Sequence, residues 1–210
     1  MTNEPYSMAW NSEYLGKGRL WRGAPMDVPT IPSGTRVVEV GCGDGKTLVA
    51  LSGMGLDLVG IDISQVAIDL SKEALQKAGL KARLMLGDAV HLPFKDRSFG
   101  AVVAYNILDH LYAGDRKAAA AEMARVLKPQ GRLFFRCFSR SDLRARKLEG
   151  QVEEATMMRG NGILYHYFNV DEVAGLFQGL RPLRVHEVRR NIGGKRSLER
   201  VLILGEFVRP

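Results

Sequence analysis

The chain of 210 residues is long enough for one domain with a sizeable core, and its hydrophobic fraction of 46% is ordinary for a globular protein. No run reaches the length of a membrane span and the N-terminus lacks the pattern of a secretory signal, which predicts a cytoplasmic protein. The formal net charge of +7 without a nucleic-acid motif predicts a solvated basic face rather than a polyanion-binding module.

Residues 1–35 precede the first predicted strand and carry an unusual number of aromatic residues. Trp10, Trp21, Tyr6 and Tyr14 all lie here, among glycines and prolines and with little apolar periodicity. The segment is too aromatic to be disordered. One interpretation is that these side chains cap an edge of the sheet.

The stretch from Arg36 to Leu51 has the pattern of a strand, a glycine turn and a helix. Its valines form a short β-branched run typical of a buried parallel strand. Gly41, Gly43 and Gly45 then allow a sharp turn and the close approach of a ligand, and the helix that follows presents free N–H groups. The stretch therefore predicts a ligand-binding turn.

The glycine spacing argues against a dinucleotide as that ligand. The dinucleotide fingerprint is G-x-G-x-x-G, and Lys46 stands where the third glycine should be. Asp44 also brings a carboxylate to the place that a pyrophosphate would take. An NAD-dependent oxidoreductase is therefore disfavoured.

The sequence E-x-G-x-G-x-G from Glu39 to Gly45 resembles the first motif of class I S-adenosylmethionine-dependent methyltransferases. The resemblance is to the small-molecule branch that includes ubiquinone and menaquinone biosynthesis enzymes, and it covers residues 36–138 well and the rest in outline. It implies an α/β fold with a Rossmann-like, doubly wound, seven-stranded sheet, mostly parallel with one antiparallel strand near the C-terminus. It also implies that residues 1–35 form a cover over donor and acceptor, with residues 6–21 as a lid.

The resemblance implies one methyltransferase domain over residues 1–210, with a donor-binding core at 36–138. The cofactor would be S-adenosyl-L-methionine, with S-adenosyl-L-homocysteine as product. The implied donor-binding residues are Glu39, Gly41, Cys42, Gly43, Gly45, Asp62, Ile63, Asp88, Ala89 and Asn106. Glu39 and the glycine turn would hold the amino-acid end, Asp62 the ribose, and Asp88 the adenine.

Asp62 is also singled out by its position after the second apolar run, Leu56 to Ile61. It follows the glycine turn by about twenty residues, the spacing at which an acid reaches a ribose diol in nucleotide-binding folds. The alternative is a helix cap, but Ser64 is the better cap for the helix predicted from Ser64 to Ala78.

Two further strands are predicted, from Lys81 to Leu86 and from Ser98 to Asn106. The pattern G-D-A-x-x-L-P-F after the first of them is similar to the family's third motif, which assigns the adenine amine to Asp88 and the ring to Ala89. Asn106 would border the methionine moiety. His91 is expected to be a solvated loop residue.

His110 follows the exit of the fourth predicted strand and has two interpretations. It could remove a proton from the acceptor as a general base, or it could pack at a helix start. A helix from Arg116 to Leu127 and a fifth strand from Arg132 to Phe138 come next, joined by a turn. With Asn106, His110 is the candidate catalytic residue.

Residues 139–169 are predicted to be a variable insertion, whose charged residues suit an exposed helix. The resemblance implies that it builds the acceptor pocket, with Tyr165, His166 and Tyr167 as weak candidates. Residues 170–210 would supply the final helix, 170–180, and two strands, 183–188 and 201–208, joined by Gly193 and Gly194. This end carries the excess basic residues Arg181, Arg184, Arg189, Arg190, Lys195, Arg196, Arg200 and Arg209.

The predicted activity is methyl transfer to a small-molecule acceptor. Two alternatives stay open: an RNA (tRNA) methyltransferase that uses the basic C-terminal face, and a non-catalytic S-adenosylmethionine-binding or scaffold protein. Cys42 and Cys137 lack metal-ligand spacing and are expected to be reduced thiols, so no metal site is predicted.

Overall fold

The computed structural model describes residues 4–20, 26–146, 150–192 and 198–210. Its helices are α1 (Glu4–Lys17), α2 (Lys46–Ser52), α3 (Gln65–Lys77), α4 (Ala113–Val126) and α5 (Val170–Leu176). Its strands are β1 (Arg36–Val40), β2 (Asp57–Asp62), β3 (Arg83–Leu86), β4 (Phe99–Tyr105), β5 (Leu127–Phe138), β6 (Gln151–Glu153), β7 (Thr156–Met158), β8 (Leu164–His166), β9 (Arg181–Ile192) and β10 (Leu198–Val208). Short 3₁₀ turns span Leu108–His110 and Leu143–Arg146.

The main sheet has seven strands in the order β3-β2-β1-β4-β5-β10-β9. The first five strands run parallel, and β10 is antiparallel to both of its neighbours. This confirms the predicted sheet, including its one antiparallel strand. The strand order reverses between β1 and β4, which is where open α/β sheets bind ligands at their carboxyl edge.

The antiparallel direction of β10 brings its first residues to that same edge. Leu202 lies opposite Phe138, the last residue of β5. Side chains from a strand near the C-terminus therefore reach the same crevice as the glycine turn after β1.

The buried character of the central strands follows from their composition. In β1, Val37 and Val38 are fully buried, as expected for β-branched side chains of a strand with both faces covered. The predicted cap of α3 is confirmed, because the Ser64 hydroxyl accepts a hydrogen bond from the N–H of Ala67 at 3.1 Å.

Several element boundaries differ from the prediction. Strands β9 and β10, at Arg181–Ile192 and Leu198–Val208, are longer than the predicted strands 183–188 and 201–208. Helix α4 begins at Ala113, three residues before the predicted start, and β5 begins at Leu127 rather than Arg132 because the predicted turn continues the strand through a bulge. Gln130 takes a positive φ of 60° in that bulge. Helix α5 ends at Leu176, since Phe177 leaves the helical conformation.

The exposed helix predicted for the insertion is wrong. Residues 151–166 form a small antiparallel sheet in the order β6-β7-β8, and helical structure there is confined to Leu143–Arg146 in the described residues. The reason is tertiary packing: Met157 is buried against Phe138 and Leu202, while the charged Glu153 binds Arg116 at 3.3 Å. The charge pattern of the sequence does not show which of these side chains are buried.

Several predicted features fall outside the described residues: Trp21, the Gly193–Gly194 connection, and the basic residues Lys195 and Arg196. Across the ranges that are described, no helix has both the length and the apolar character required to span a membrane.

Candidate functional site

A cavity of about 260 Å³ opens at the carboxyl edge of the sheet. It is lined by residues that follow β1, β2, β3 and β4, by aromatic side chains of α1, and by residues of β5 and β10. All the predicted site residues line it except Gly45, which caps α2 and packs against Ser71. Residues that are far apart in the sequence therefore line the same cavity.

The glycine turn is held against β2 by its own backbone. The N–H groups of Gly41 and Cys42 both donate to the carbonyl of Ile61, and the N–H of Gly43 donates to a carboxylate oxygen of Asp62 at 2.8 Å. Gly43 has a φ of 54°, and a Cβ there would lie 2.8 Å from the Tyr14 hydroxyl. The turn therefore requires glycine at this position.

Asp62 is buried and uses both carboxylate oxygens in local hydrogen bonds. One oxygen accepts from Gly43 and the other accepts from the N–H of Ser64 at 2.9 Å. Burial raises the pKa of Asp62, although these two N–H groups oppose the shift. Because each carboxylate oxygen can accept a second bond, the group retains capacity for a ligand hydroxyl.

Glu39 lies on β1 with a carboxyl group that is incompletely satisfied. Burial raises its pKa to about 8, against the opposing effects of a Thr47 hydrogen bond and the charge of Arg136. Its Oε2 atom is buried and has no hydrogen-bond partner among the described residues. A ligand ammonium group would supply the missing donor and the missing positive charge.

Asp88 and Ala89 follow β3 and are both buried at the cavity wall. One Asp88 oxygen accepts the N–H of Val90 at 3.1 Å. Ile63 lines the cavity beside them and is partly buried. His91, two residues beyond Ala89, is exposed as expected.

Asn106 is fixed by contacts that the sequence did not reveal. Its carbonyl oxygen accepts a hydrogen bond from Arg136 Nε at 2.9 Å, and its amide nitrogen donates to Asp109 at 3.4 Å. It adopts a φ of 54°, an unusual conformation that Asn tolerates better than most residues. Arg136 also stacks over the ring of Tyr105, with its guanidinium carbon 4.5 Å from the centroid.

Arg136 is therefore a site residue that sequence reasoning missed. It lines the cavity, and the positive charge it carries lowers the pKa of Glu39. The available signal was a single arginine in the apolar run from Leu133 to Phe138.

His110 is buried within the 3₁₀ turn and lines the cavity. Its Nδ1 lies 2.7 Å from the carbonyl oxygen of Leu164. Since a carbonyl can only accept, we assign the proton to Nδ1, which leaves Nε2 as the acceptor. Nε2 is buried with no partner in the described ranges, and burial lowers the pKa of His110 to about 4.

Two aromatic rings hold the imidazole edge-on. The centroids of Trp10 and Tyr165 each lie 4.9 Å from that of His110. Trp10 comes from α1, whose Tyr6 also lines the cavity and donates a hydrogen bond to Asp115 at 2.8 Å. An N-terminal helix thus forms one wall of the crevice.

The three weak candidates of the insertion separate in the structure. Tyr165 contacts His110, but His166 is bound to Thr156 and Glu172, each at 2.8 Å, and Tyr167 is fully buried against Phe138. His166 and Tyr167 therefore stabilise the insertion. In the described ranges no group of His, Cys, Asp and Glu side chains could hold a metal ion.

Residues 38–135 match the family described as Methyltransferase domain. The demethylmenaquinone methyltransferase of Renibacterium salmoninarum is 34% identical over 126 residues, which covers 60% of this chain and 50% of that protein. The tRNA N(3)-cytidine methyltransferase of Gallus gallus is 26% identical over 199 residues, or 88% of this chain and 54% of that protein. The chain thus spans about half the length of these curated relatives.

A solved SAM-dependent methyltransferase from Methanosarcina mazei has the same fold. It aligns with a TM-score of 0.70 at 22% identity, covering 85% of this chain and 94% of that chain.

Proposed function

We propose that this chain, a member of the class I S-adenosylmethionine-dependent methyltransferases, transfers the methyl group of S-adenosylmethionine to a small-molecule acceptor. One observation carries the proposal. Glu39, Asp62 and Asp88 lie at or near the carboxyl ends of three different strands, yet they line one cavity together with the glycine turn and His110. The carboxyl groups of these three residues can accept hydrogen bonds at one end of the cavity, and His110 Nε2 can accept one at the other end.

The donor end fits the chemistry of the cofactor. The unpartnered Oε2 of Glu39 matches the ammonium of a methionine moiety, and the spare lone pairs of Asp62 match a ribose diol. Asp88 is assigned to the adenine amine, with Ala89 and Ile63 against the ring. Gly41, Cys42 and Gly43 supply the close backbone approach.

S-adenosylmethionine, when bound, would supply a methyl group that the acceptor nucleophile attacks in line with the breaking carbon–sulfur bond, so that S-adenosylhomocysteine leaves. The chain's own contribution is to hold the nucleophilic atom of the acceptor in line with the methyl carbon and the sulfur, and to exclude water. The aromatic walls formed by Trp10 and Phe138 perform the second task.

We assign His110 the role of proton acceptor through Nε2. Its low pKa makes it a weak base, but a newly methylated hydroxyl group that still carries its proton is a strong acid, so a weak base suffices. Asn106 is assigned a positioning role, because its side chain is already bound to Arg136 and Asp109.

The charged groups of the C-terminal strands favour a small acceptor. Arg189 pairs with Glu199 at 2.6 Å, and Arg190 pairs with Asp27 at 2.5 Å. Arg209 donates to carbonyl oxygens at the end of α4. These arginines are engaged within the protein, which supports the solvated-face interpretation over a phosphate-binding surface.

A tRNA acceptor is the second candidate, favoured by the chicken relative that matches 88% of this chain. A non-catalytic binding protein is disfavoured, because Asn106 and His110 border a cavity as an acceptor site requires.

Calorimetry with S-adenosylhomocysteine and with NAD tests the cofactor class. Binding of the first and not the second is expected, and the reverse would overturn the proposal. A radiolabelled methyl-transfer assay over a metabolite library, run beside bulk tRNA at several salt concentrations, tests the acceptor. Label in tRNA with a steep salt dependence and none in metabolites would establish the second candidate.

A further inference from the structure

A buried guanidinium group lies at the cavity wall on β10. Arg200 is 9% exposed, and its Nε donates to Asp142 at 2.7 Å while its guanidinium carbon lies 4.9 Å from the Phe138 centroid. Its Nη2 is buried and has no hydrogen-bond partner in the part of the chain that the structure describes. A buried donor left unpaired costs stability, so a ligand atom that accepts from it would be favoured.

Arg200 lies far along the sheet from Asp62, the proposed partner of the ribose. Asp62 lies on β2 and Arg200 on β10, four positions apart in the strand order. At about 4.8 Å per strand this separates them by roughly 19 Å. From the end of β4, where Asn106 and His110 follow, the separation is two strands, or about 10 Å. Arg200 therefore faces the acceptor side.

The surroundings of Arg200 carry excess positive charge. The pKa of Arg144 is lowered by burial and then by the positive charges of Arg200 and Arg159. Asp142, the carboxylate beside them, already accepts bonds from Arg200, from the N–H of Val201 and from the N–H of Arg144. The positive charges of Arg144, Arg159 and Arg200 are opposed here by Asp142, which already accepts three hydrogen bonds, so an additional anion is favoured.

We propose that the acceptor is an aromatic or conjugated carboxylic acid whose carboxylate binds Arg200 while its nucleophilic hydroxyl or amine reaches His110. The inference rests on the proposed methyl transfer and adds the class of acceptor. Trp10, which lines the cavity beside the imidazole, provides a flat apolar surface for the body of such a molecule.

The test uses a charged probe and its neutral counterpart on the full chain. 4-Hydroxycinnamate and 4-hydroxycinnamide are titrated into protein saturated with S-adenosylhomocysteine. The wild type is expected to bind the carboxylate about 10-fold more tightly than the amide, and Arg200→Gln is expected to abolish that preference. Arg189→Gln, which removes an exposed arginine from the neighbouring strand, is the matched control and should retain it.

Arg200→Gln also removes the charged partner of the buried Asp142 carboxylate, which is expected to destabilise the fold. The double variant Arg200→Gln with Asp142→Asn removes both charges and should fold while losing the preference. Asp142→Asn alone should keep it. Equal binding of the two probes by the wild type, or an unchanged preference in the double variant, would overturn the inference.

Binding of S-adenosylhomocysteine separates this failure from that of the proposed function. If wild-type protein binds S-adenosylhomocysteine but does not distinguish the probes, only the acceptor class is wrong. If it does not bind S-adenosylhomocysteine, the proposed function fails as well.

Discussion

The half of the cavity that we assign to the donor and the half that we assign to the acceptor are built in different ways. In the donor half, Gly43 and Asp62 bond to each other across 19 residues of sequence, and Asp62 and Ser64 across two. In the acceptor half, His110 contacts Leu164 across 54 residues and Arg200 contacts Asp142 across 58. The donor half is therefore set by short-range chain geometry, while the acceptor half depends on how distant segments pack.

This difference separates the expected effects of substitution. Changes to the acids and glycines should alter donor affinity and leave acceptor choice intact. Changes to Trp10, to His110 or to Arg200 should alter turnover or acceptor affinity and leave donor affinity intact.

The largest effect is expected from Asp62→Ala. It removes the acceptor of two backbone N–H groups and the proposed partner of the ribose, so affinity for S-adenosylhomocysteine should fall by about 100-fold, or about 2.7 kcal/mol. Calorimetry measures this directly. The control is Asp57→Ala, which replaces an exposed aspartate on the same strand and should bind S-adenosylhomocysteine normally. Unchanged affinity in Asp62→Ala would remove Asp62 from the donor site.

His110→Ala should lower kcat by about 50-fold without changing donor affinity, since a weak base contributes less than a well-tuned one. Because burial holds the pKa of His110 near 4, the imidazole is neutral at all higher pH values. Wild-type kcat should therefore show no His110 ionisation between pH 6 and 8. His91→Ala, in an exposed loop, is the control, and full activity of His110→Ala at every pH would reject the assignment.

Glu39→Gln should lower the affinity for S-adenosylhomocysteine by about 10-fold at pH 8, since one charged hydrogen bond is lost. With a pKa of about 8, Glu39 is largely protonated at pH 7, so a bound ammonium should expel its proton. Calorimetry at pH 7 in buffers of different ionisation enthalpy should detect that release in the wild type and not in the variant.

The same residue gives a stability prediction with a definite sign. The folded-state pKa of Glu39 is raised above its ordinary value of 4.5, so the ligand-free protein should lose stability as pH rises from 4.5 through about 8. Glu39→Gln should flatten that decline in urea unfolding curves. The control is Glu73→Gln, which replaces an exposed carboxyl group on α3 and should leave the decline unchanged. If stability falls equally with pH in both variants, the buried acid is not its cause.

The smallest effect is expected from Trp10→Ala, which tests whether the aromatic helix acts as a lid. Loss of the Trp10 contact with His110 should raise the acceptor KM by about 5-fold, equivalent to about 1 kcal/mol. Met8→Ala, on the same helix and 72% exposed, is the control. A lower Tm with unchanged KM would mean that Trp10 only stabilises the fold.

The strands, the glycine turn and the cap at Ser64 could be predicted because their determinants are patterns along short stretches of sequence. β-Branched runs, positive-φ glycines and the spacing from Gly41 to Asp62 are all local patterns. The insertion could not be predicted, since its charged residues are consistent with a helix and only contact with Phe138 and Leu202 makes it a small sheet.

The sequence by itself determined the class of fold and the acids that face the proposed donor, because short-range backbone geometry and apolar periodicity specify them. Only the tertiary structure showed that Arg136 and Arg200 line the cavity, and that Trp10 of the predicted lid packs against His110. Each lies on an element whose position depends on long-range packing, and in the case of Arg200 on the reversed direction of β10. No local pattern encodes which side chains such packing will bring together.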